Sequence, residues 1–325
     1  MTIQRTATLS IFLCALLAAA PAPAQAPKTA ATLRLDWVPG SHHIGPVLAA
    51  QRGYYAAEGI DLTVKPGRGS GSTVQIVASG GDLFGFADAG TMALAASKGA
   101  PVVMVANTTQ LGPCGIITLG KKIGSPKEIE GKSIGAAPGG ADYIAMLAVL
   151  KQHKVPEASY RMIAVEAASK TAALLTGKVD AITGFSFGDY LRAHVSNSDV
   201  KITLFSDWGL NILGNGYFVQ ASTLEQKPEL VRGFVRATLR GWKDAIADPK
   251  AGVDALLAAY PESNRQFVER GLPMVIQHMH SKATKDAPLG WMAEEDWKVT
   301  LDAMKLAGLE GNRPPQAFYR NLVER

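Results

Sequence analysis

Short apolar runs suited to strands alternate with longer segments of helical spacing through the first half of the chain. Such alternation builds a sheet with helices on its faces and leaves little room for an all-helical or all-strand fold. The strand-like runs are 32–35, 62–65, 83–87, 102–106 and 116–119, and helix-like segments at 43–58, 72–79 and 91–98 separate them. A second series runs through a strand at 132–136, a helix at 141–153, a strand at 160–165, a helix at 170–175 and a strand at 181–184. From Pro228 onward the spacing of Leu230, Val231, Phe234, Val235 and Leu239 is helical. Two α/β series in one chain predict two lobes, and no short-period repeat points to a solenoid.

The beginning of the chain reads as an export leader rather than part of the fold. Arg5 precedes an apolar run at 11–20, followed by the small-residue stretch 21–26, the three parts of a secretory signal. The expected signal peptide is 1–26, with cleavage after Ala24 or Ala26, which sends the protein to the periplasm. Leu13 immediately before Cys14 is too bulky for a lipidation site, so Cys14 is expected to leave with the leader. Cys114 then stands alone, and no internal disulfide is available to the mature chain. Core packing must hold the fold. A net charge of +5 is dispersed, without a dense basic block or a basic aromatic stripe, so nucleic acid is not an expected partner.

Three strand-to-helix junctions share one chemical style. Residues 65–72 include Arg68, Ser70 and Ser72; residues 88–91 end in Thr91; residues 137–142 include Gly139, Gly140 and Asp142. Helix N-termini expose backbone N–H groups and carry partial positive charge, so they suit carboxylates, sulfonates or phosphates. The competing reading makes Ser72 and Asp142 simple caps and the glycines simple turns. Open α/β sheets bind ligands where strands end and helices begin, and three such junctions together mark a candidate cleft.

The segment 35–39 with His42 and His43, then 53–61, 80–87, 131–135, 175–182 and 228–231, resembles the substrate-binding proteins of bacterial ABC importers in the thiamine-precursor, nitrate, sulfonate and taurine group. That resemblance implies a type II periplasmic binding fold: an α/β protein of two lobes, each a sheet flanked by helices, closing by a hinge over a ligand between them. Lobe 1 would comprise 31–119 and 222–325 and lobe 2 would be 120–221, with crossings near 119–122 and after Tyr217-Phe218-Val219. The implied partners are a small-molecule ligand and an ABC permease in the inner membrane, and the transport role needs only a monomer.

The resemblance also assigns a cleft wall to the stretch after the first strand. Trp37 would offer an aromatic face and His42 or His43 a hydrogen bond, His43 being the better match to the histidine of the thiamine-precursor branch. Phe185, Phe187 and Asp189 occupy the region where that branch has an aromatic residue and an acid, although Trp and Glu are absent in register. Arg68 would pair with an acidic ligand, and Glu166 is a weaker candidate. A planar nitrogen heterocycle and an aromatic carboxylate or sulfonate both fit this set.

Two other functions remain in view. A eukaryotic relative of the family synthesises the thiamine pyrimidine with an active-site histidine and a cysteine-rich iron site, but this sequence has no cysteine cluster, so neither enzymatic activity nor a cofactor is expected. His278 and His280 flank Met279 at a spacing that can chelate metal but more often lies in solvent. A sensory ligand-binding subunit would look the same in sequence as a transport one.

Overall fold

The computed structural model describes residues 27–324; the expected signal peptide and both cleavage sites lie outside them. The first lobe is built from β1 (Thr29–Arg34), α1 (Ile44–Gln51), α2 (Tyr54–Ala57), β2 (Ile60–Lys65), α3 (Ser70–Ala78), β3 (Phe84–Asp88), α4 (Ala89–Ser97) and β4 (Val102–Asn107). The second contains β5 (Cys114–Leu119), β6 (Ser133–Ala136), α5 (Ala141–Gln152), β7 (Arg161–Ala164), α6 (Lys170–Leu175), β8 (Ala181–Phe185), α7 (Leu191–Ser196) and β9 (Val200–Leu204). The chain then returns through β10 (Asn215–Gln220), α8 (Ala221–Gln226), α9 (Pro228–Ala247), α10 (Pro249–Ala259), α11 (Arg265–Gln277) and α12 (Glu294–Leu306).

Each lobe has a five-stranded sheet, in the orders β2-β1-β3-β10-β4 and β7-β6-β8-β5-β9. The pattern repeats: three parallel strands, then an antiparallel fourth, then an outer strand antiparallel to that one. The antiparallel fourth strand in each sheet, β10 or β5, is the strand that has just crossed from the other lobe. The α/β architecture with two lobes is therefore as the sequence predicts.

The crossings lie elsewhere than expected. Since β5 already belongs to the second sheet, the first crossing is 108–113 and not 119–122. Since β10 belongs to the first sheet, the second crossing is 205–214, ahead of Tyr217-Phe218-Val219 rather than after it. An apolar strand carries no mark of which sheet it will join, so its run alone cannot position a crossing. The two crossings are tied together by Gly214 N–H to the Thr109 carbonyl (2.8 Å), Thr108 and Thr109 N–H to the Asn215 carbonyl (3.2 and 3.1 Å), and Gly112 N–H to Asn211 Oδ1 (2.7 Å).

Burial explains the strand readings. β3, in the middle of its sheet, is buried along its whole length, as an apolar run there should be, and the outer strand β4 is equally buried because the C-terminal segment at Phe318–Arg320 bonds along it at Met104. The edge strand β7 is mostly exposed. The single helix expected at 43–58 is instead a short 3₁₀ turn, Ser41–His43, followed by α1 and α2, because Gly53 breaks it with φ +71°. Among the described residues no helix is long and apolar enough to cross a membrane.

The longest helix, α9, starts with Pro228 in its first turn and buries Val231, Phe234, Val235 and Trp242 on one face. It crosses α1 at close range: a Cβ on Gly241 would overlap the Gly45 carbonyl oxygen, and one on Gly45 would overlap the Trp242 ring. Helix backbones approach this closely only where side chains are missing. Replacing Gly241 by Ala is therefore expected to destabilise the protein by roughly 1–3 kcal/mol through overpacking, read as a lower denaturant midpoint, whereas Gly308→Ala, with nothing near its Cβ position, reports only the backbone strain of a positive φ.

Candidate functional site

A cleft of about 660 Å³ opens between the two sheets. The first lobe supplies the segment after β1, including Trp37 and His42, and the start of α3, including Ser70 and Ser72, with Arg68 ahead of it. The second lobe supplies Gly139, Gly140 and Asp142 around the start of α5, Lys170 at the start of α6, Phe185 at the end of β8, and Phe187 and Asp189 just after it. Eleven of the thirteen residues anticipated from sequence thus border one space. The exceptions are His43 and Thr91, and Glu166 is exposed outside it.

Thr91 is buried because it completes a cap. Its backbone N–H and Oγ1 both donate to Asp88 Oδ1, at 2.8 and 3.0 Å, closing the start of α4. Burial pushes the Asp88 carboxyl up to about 6, against the Thr91 hydrogen bonds.

The two adjacent histidines divide their roles through the 3₁₀ turn. His43 is 0% exposed, behind the wall, and its Nε2 lies 2.7 Å from Asp36 Oδ1. His42 lines the cleft with its own Nε2 3.5 Å from the same oxygen, so the preference for His43 as the ligand-facing residue is reversed. Asp36 Oδ2 accepts from Asn215 Nδ2 at 2.8 Å. Burial tends to raise the Asp36 carboxyl, but the imidazoles of His42 and His43 outweigh it and hold the group well below the usual carboxylate range.

Asp36, His42 and His43 bring three metal-type ligand atoms within 4.8 Å of one another. The tautomer argues against a cation on them. The Gly40 N–H donates to His43 Nδ1 at 3.1 Å, so Nδ1 carries a lone pair and the proton of the neutral ring sits on Nε2, pointing at Asp36. A metal on that Nε2 needs the proton on Nδ1, where it would face the Gly40 N–H. The arrangement is a hydrogen-bonded brace for the cleft wall. His278 is not a solvent-exposed chelator either: it is buried, with Nδ1 2.9 Å from the Leu111 carbonyl oxygen and Nε2 2.9 Å from Ser186 Oγ.

The loop ahead of α3 fixes Trp37. Gly67 N–H donates to the Trp37 carbonyl (3.1 Å), Gly69 N–H to the Asp36 carbonyl (2.6 Å) and Thr73 Oγ1 to the Leu35 carbonyl (2.7 Å). Any Cβ on Gly67 would overlap the Leu35 carbonyl, so glycine is required for the two loops to lie together. Trp37 is left half-buried at the cleft.

On the opposite wall, a π-helical turn over Ser186–Tyr190 follows β8, a geometry that often marks functional sites. It seats Phe187 of the second lobe against the first, its ring 5.0 Å from that of His42. Tyr190 turns away, its ring 5.2 Å from His194.

Sequence reasoning missed Lys170 and the third wall. Lys170 is 3% exposed, and its Nζ donates to Asp142 Oδ2 (2.6 Å), the Thr183 carbonyl (3.0 Å) and Asp189 Oδ2 (3.1 Å). Burial works against its charge, but the two carboxylates raise the ammonium well above its ordinary value. Burial likewise tends to raise Asp142, and Lys170 overcomes it, holding Asp142 below the usual range; at Asp189 burial prevails and the carboxyl is raised. The third wall is formed by Phe267 of α11 with Glu262 and Asn264 just ahead of it. Amphipathic spacing identified these C-terminal residues as helical but carried no sign that one end faces a cleft.

Two α/β lobes, each completed by a strand arriving from the other, with a cleft lined from both, define a solute-binding protein of the two-lobed periplasmic type. The alkanesulfonate-binding protein SsuA of Xanthomonas axonopodis pv. citri has the same fold, with a TM-score of 0.68 at 15% identity, covering 92% of this chain and 99% of that one. The chain belongs to the NMT1/THI5-like family, whose pattern matches residues 40–252. It is 30% identical to the riboflavin-binding protein RibY of Chloroflexus aurantiacus, over 90% of this chain and 85% of that protein. It is also 28% identical to a 4-amino-5-hydroxymethyl-2-methylpyrimidine phosphate synthase of Legionella pneumophila, over 72% of this chain and 75% of that one.

The His43 brace has a pH signature. Burial, reinforced by His42 and opposed by Asp36, pushes the imidazole down to about 4 from its ordinary 6.5. A depressed histidine contributes stability that is fully present above 6.5 and is lost as the pH falls toward 4, because the unfolded chain takes up the proton first. The expected loss from this group is about 3 kcal/mol. In denaturant titrations across that window, His43→Gln should flatten the pH dependence; an unchanged slope would show that His43 is not its source.

Proposed function

We propose that this protein is exported to the periplasm, where as a monomer it captures a planar, uncharged nitrogen heterocycle, closes over it and delivers it unchanged to an ABC permease. The observation that carries the reading is the pairing of walls. Trp37 and His42 on one lobe face Phe185 and Phe187 on the other, and Asp189 adds a hydrogen-bond acceptor at the cleft. Flat aromatic and imidazole surfaces favour stacking, and a carboxylate favours a ligand bearing N–H donors.

The ligand chemistry follows from this set and from the relatives. A riboflavin-like ring system has the planarity and the N–H donor that the walls favour, and the similarity to RibY supports that class over a sulfonate. A ligand touching both lobes stabilises the closed state, which a membrane partner can then recognise. The basic, apolar and small-residue order of 1–26 supports export.

A synthase reading draws support from His42 beside Asp36 within the cleft and from the Legionella relative. Transport is the better account because the cysteine-rich iron stretch of the eukaryotic synthase has no counterpart in this sequence.

Thermal-shift and calorimetric titrations of the mature protein with riboflavin, an aminopyrimidine and taurine test the proposal. Riboflavin or the aminopyrimidine should raise the melting temperature and be recovered chemically unchanged. Trp37→Ala should weaken that ligand by roughly 1–3 kcal/mol, about tenfold or more in Kd, with little loss of folding stability. Stabilisation by taurine with no response to either heterocycle would overturn the reading, and conversion of the ligand would move the protein to the enzymes.

A further inference from the structure

One buried ammonium ties together the parts of the second lobe that face the cleft. Lys170 opens α6, and its Nζ donates to Asp142 Oδ2 in the first turn of α5, to the Thr183 carbonyl in β8 and to Asp189 Oδ2 in the π-helical turn. An ammonium carries three N–H donors, so these acceptors use them all. Asp142 Oδ2 also accepts from Thr183 Oγ1 at 2.6 Å, which closes the network onto β8. The start of α5 brings Gly139 and Gly140 to the cleft, and the π-helical turn brings Phe187. The two stretches are thus held relative to each other by carboxylates that share one cation.

Asp189 is left with one oxygen to offer. Oδ2 takes the Lys170 ammonium, whereas Oδ1 pairs with Arg192 of α7 at 4.0 Å, beyond hydrogen-bond reach, and so can accept an N–H from a ligand. Lys170 and Arg192 together balance the two carboxylates, so the cluster acts through geometry and protonation and not through net charge. Without the ammonium, two buried acids would stand near each other with only the partly exposed Arg192 beside them, and the pair would take up a proton more readily. Three further titratable groups border the turn. Cys114 of β5 has a buried thiol that is pushed up and stays neutral, His278 at the end of α11 is bonded to Ser186, and Lys201 of β9 is bonded to the Ser198 carbonyl.

We infer that Lys170 is a positioning residue for ligand capture: its ammonium aligns the Asp142 and Asp189 carboxylates and presents Asp189 Oδ1, ionised, to an N–H of the ligand. The inference rests on the heterocycle reading of the cleft. Lys170 contributes no hydrogen bond of its own to the ligand; its effect reaches the ligand through Asp189.

The test measures by calorimetry, across a range of pH, how tightly the wild type and Lys170→Met hold the heterocycle that the wild type binds, riboflavin or an aminopyrimidine. Taking the ratio of the two affinities divides out titration of the ligand and of His42 on the facing wall. The wild type should bind at least about tenfold more tightly at about pH 6, and this advantage should shrink at least about threefold by about pH 8.5, as the acids of the variant lose their shared proton and Asp189 regains its charge. The double variant Lys170→Met/Asp142→Asn leaves fewer buried charges unpaired; it should show the same trend and serves if the single variant fails to fold. A ratio near one, or a larger ratio that stays constant or grows as the pH rises, would overturn this inference and leave the heterocycle reading standing. Wild-type binding of taurine with no response to either heterocycle would overturn both.

Discussion

A buried carboxylate at the end of β1 organises the first lobe's share of the cleft. Asp36 is ionised with little access to water, and a buried charge persists only where hydrogen bonds and counter-dipoles surround it. The carboxylate's partners are His43 in the 3₁₀ turn and Asn215 at the start of β10, and the backbone carbonyl of the same residue accepts from Gly69 ahead of α3. Satisfying the acid therefore fixes the turn that projects His42 and the strand that ends the second crossing, while the same residue's backbone anchors the loop that backs Trp37. The cleft wall and the hinge share a support.

The second lobe solves the same problem with a different ion. There the buried charge is Lys170, and the groups gathered around it are the first turn of α5, the end of β8 and the π-helical turn. The lobes also touch directly, with Phe187 packed beside His42 and Ser186 bonded to His278, which in turn bonds the first crossing. Opening the cleft must separate these apolar and hydrogen-bonded contacts, so a ligand that bridges the lobes would add to contacts the protein already makes between them.

Much of this was legible in the residue order. Strand and helix periodicity gave two α/β series, and two of the three strand-to-helix junctions singled out, 65–72 and 137–142, border the cleft, while 88–91 does not. What escaped detection depends on three-dimensional context. Neighbouring His42 and His43 are equivalent in sequence, and only the turn sends one inward. Lys170 read as an ordinary helix residue because lysines are seldom buried, and the two acids that hold it lie 28 positions before and 19 after. β9 and the sheet membership of β5 and β10 were missed because antiparallel insertion into a distant sheet leaves no local periodic trace.

The way each sheet is completed affects how the chain can fold. All five strands of the second lobe lie between Cys114 and Leu204, so that lobe is whole in one continuous segment. The first lobe is not: β3 and β4 are neighbours only across β10, which is more than a hundred residues further on. Until β10 is in place, each of them presents an open strand edge, the kind of surface that invites mispairing and aggregation. The middle of the chain is thus free to become ordered on its own, and the first lobe is sealed last, by the segment that returns from its neighbour.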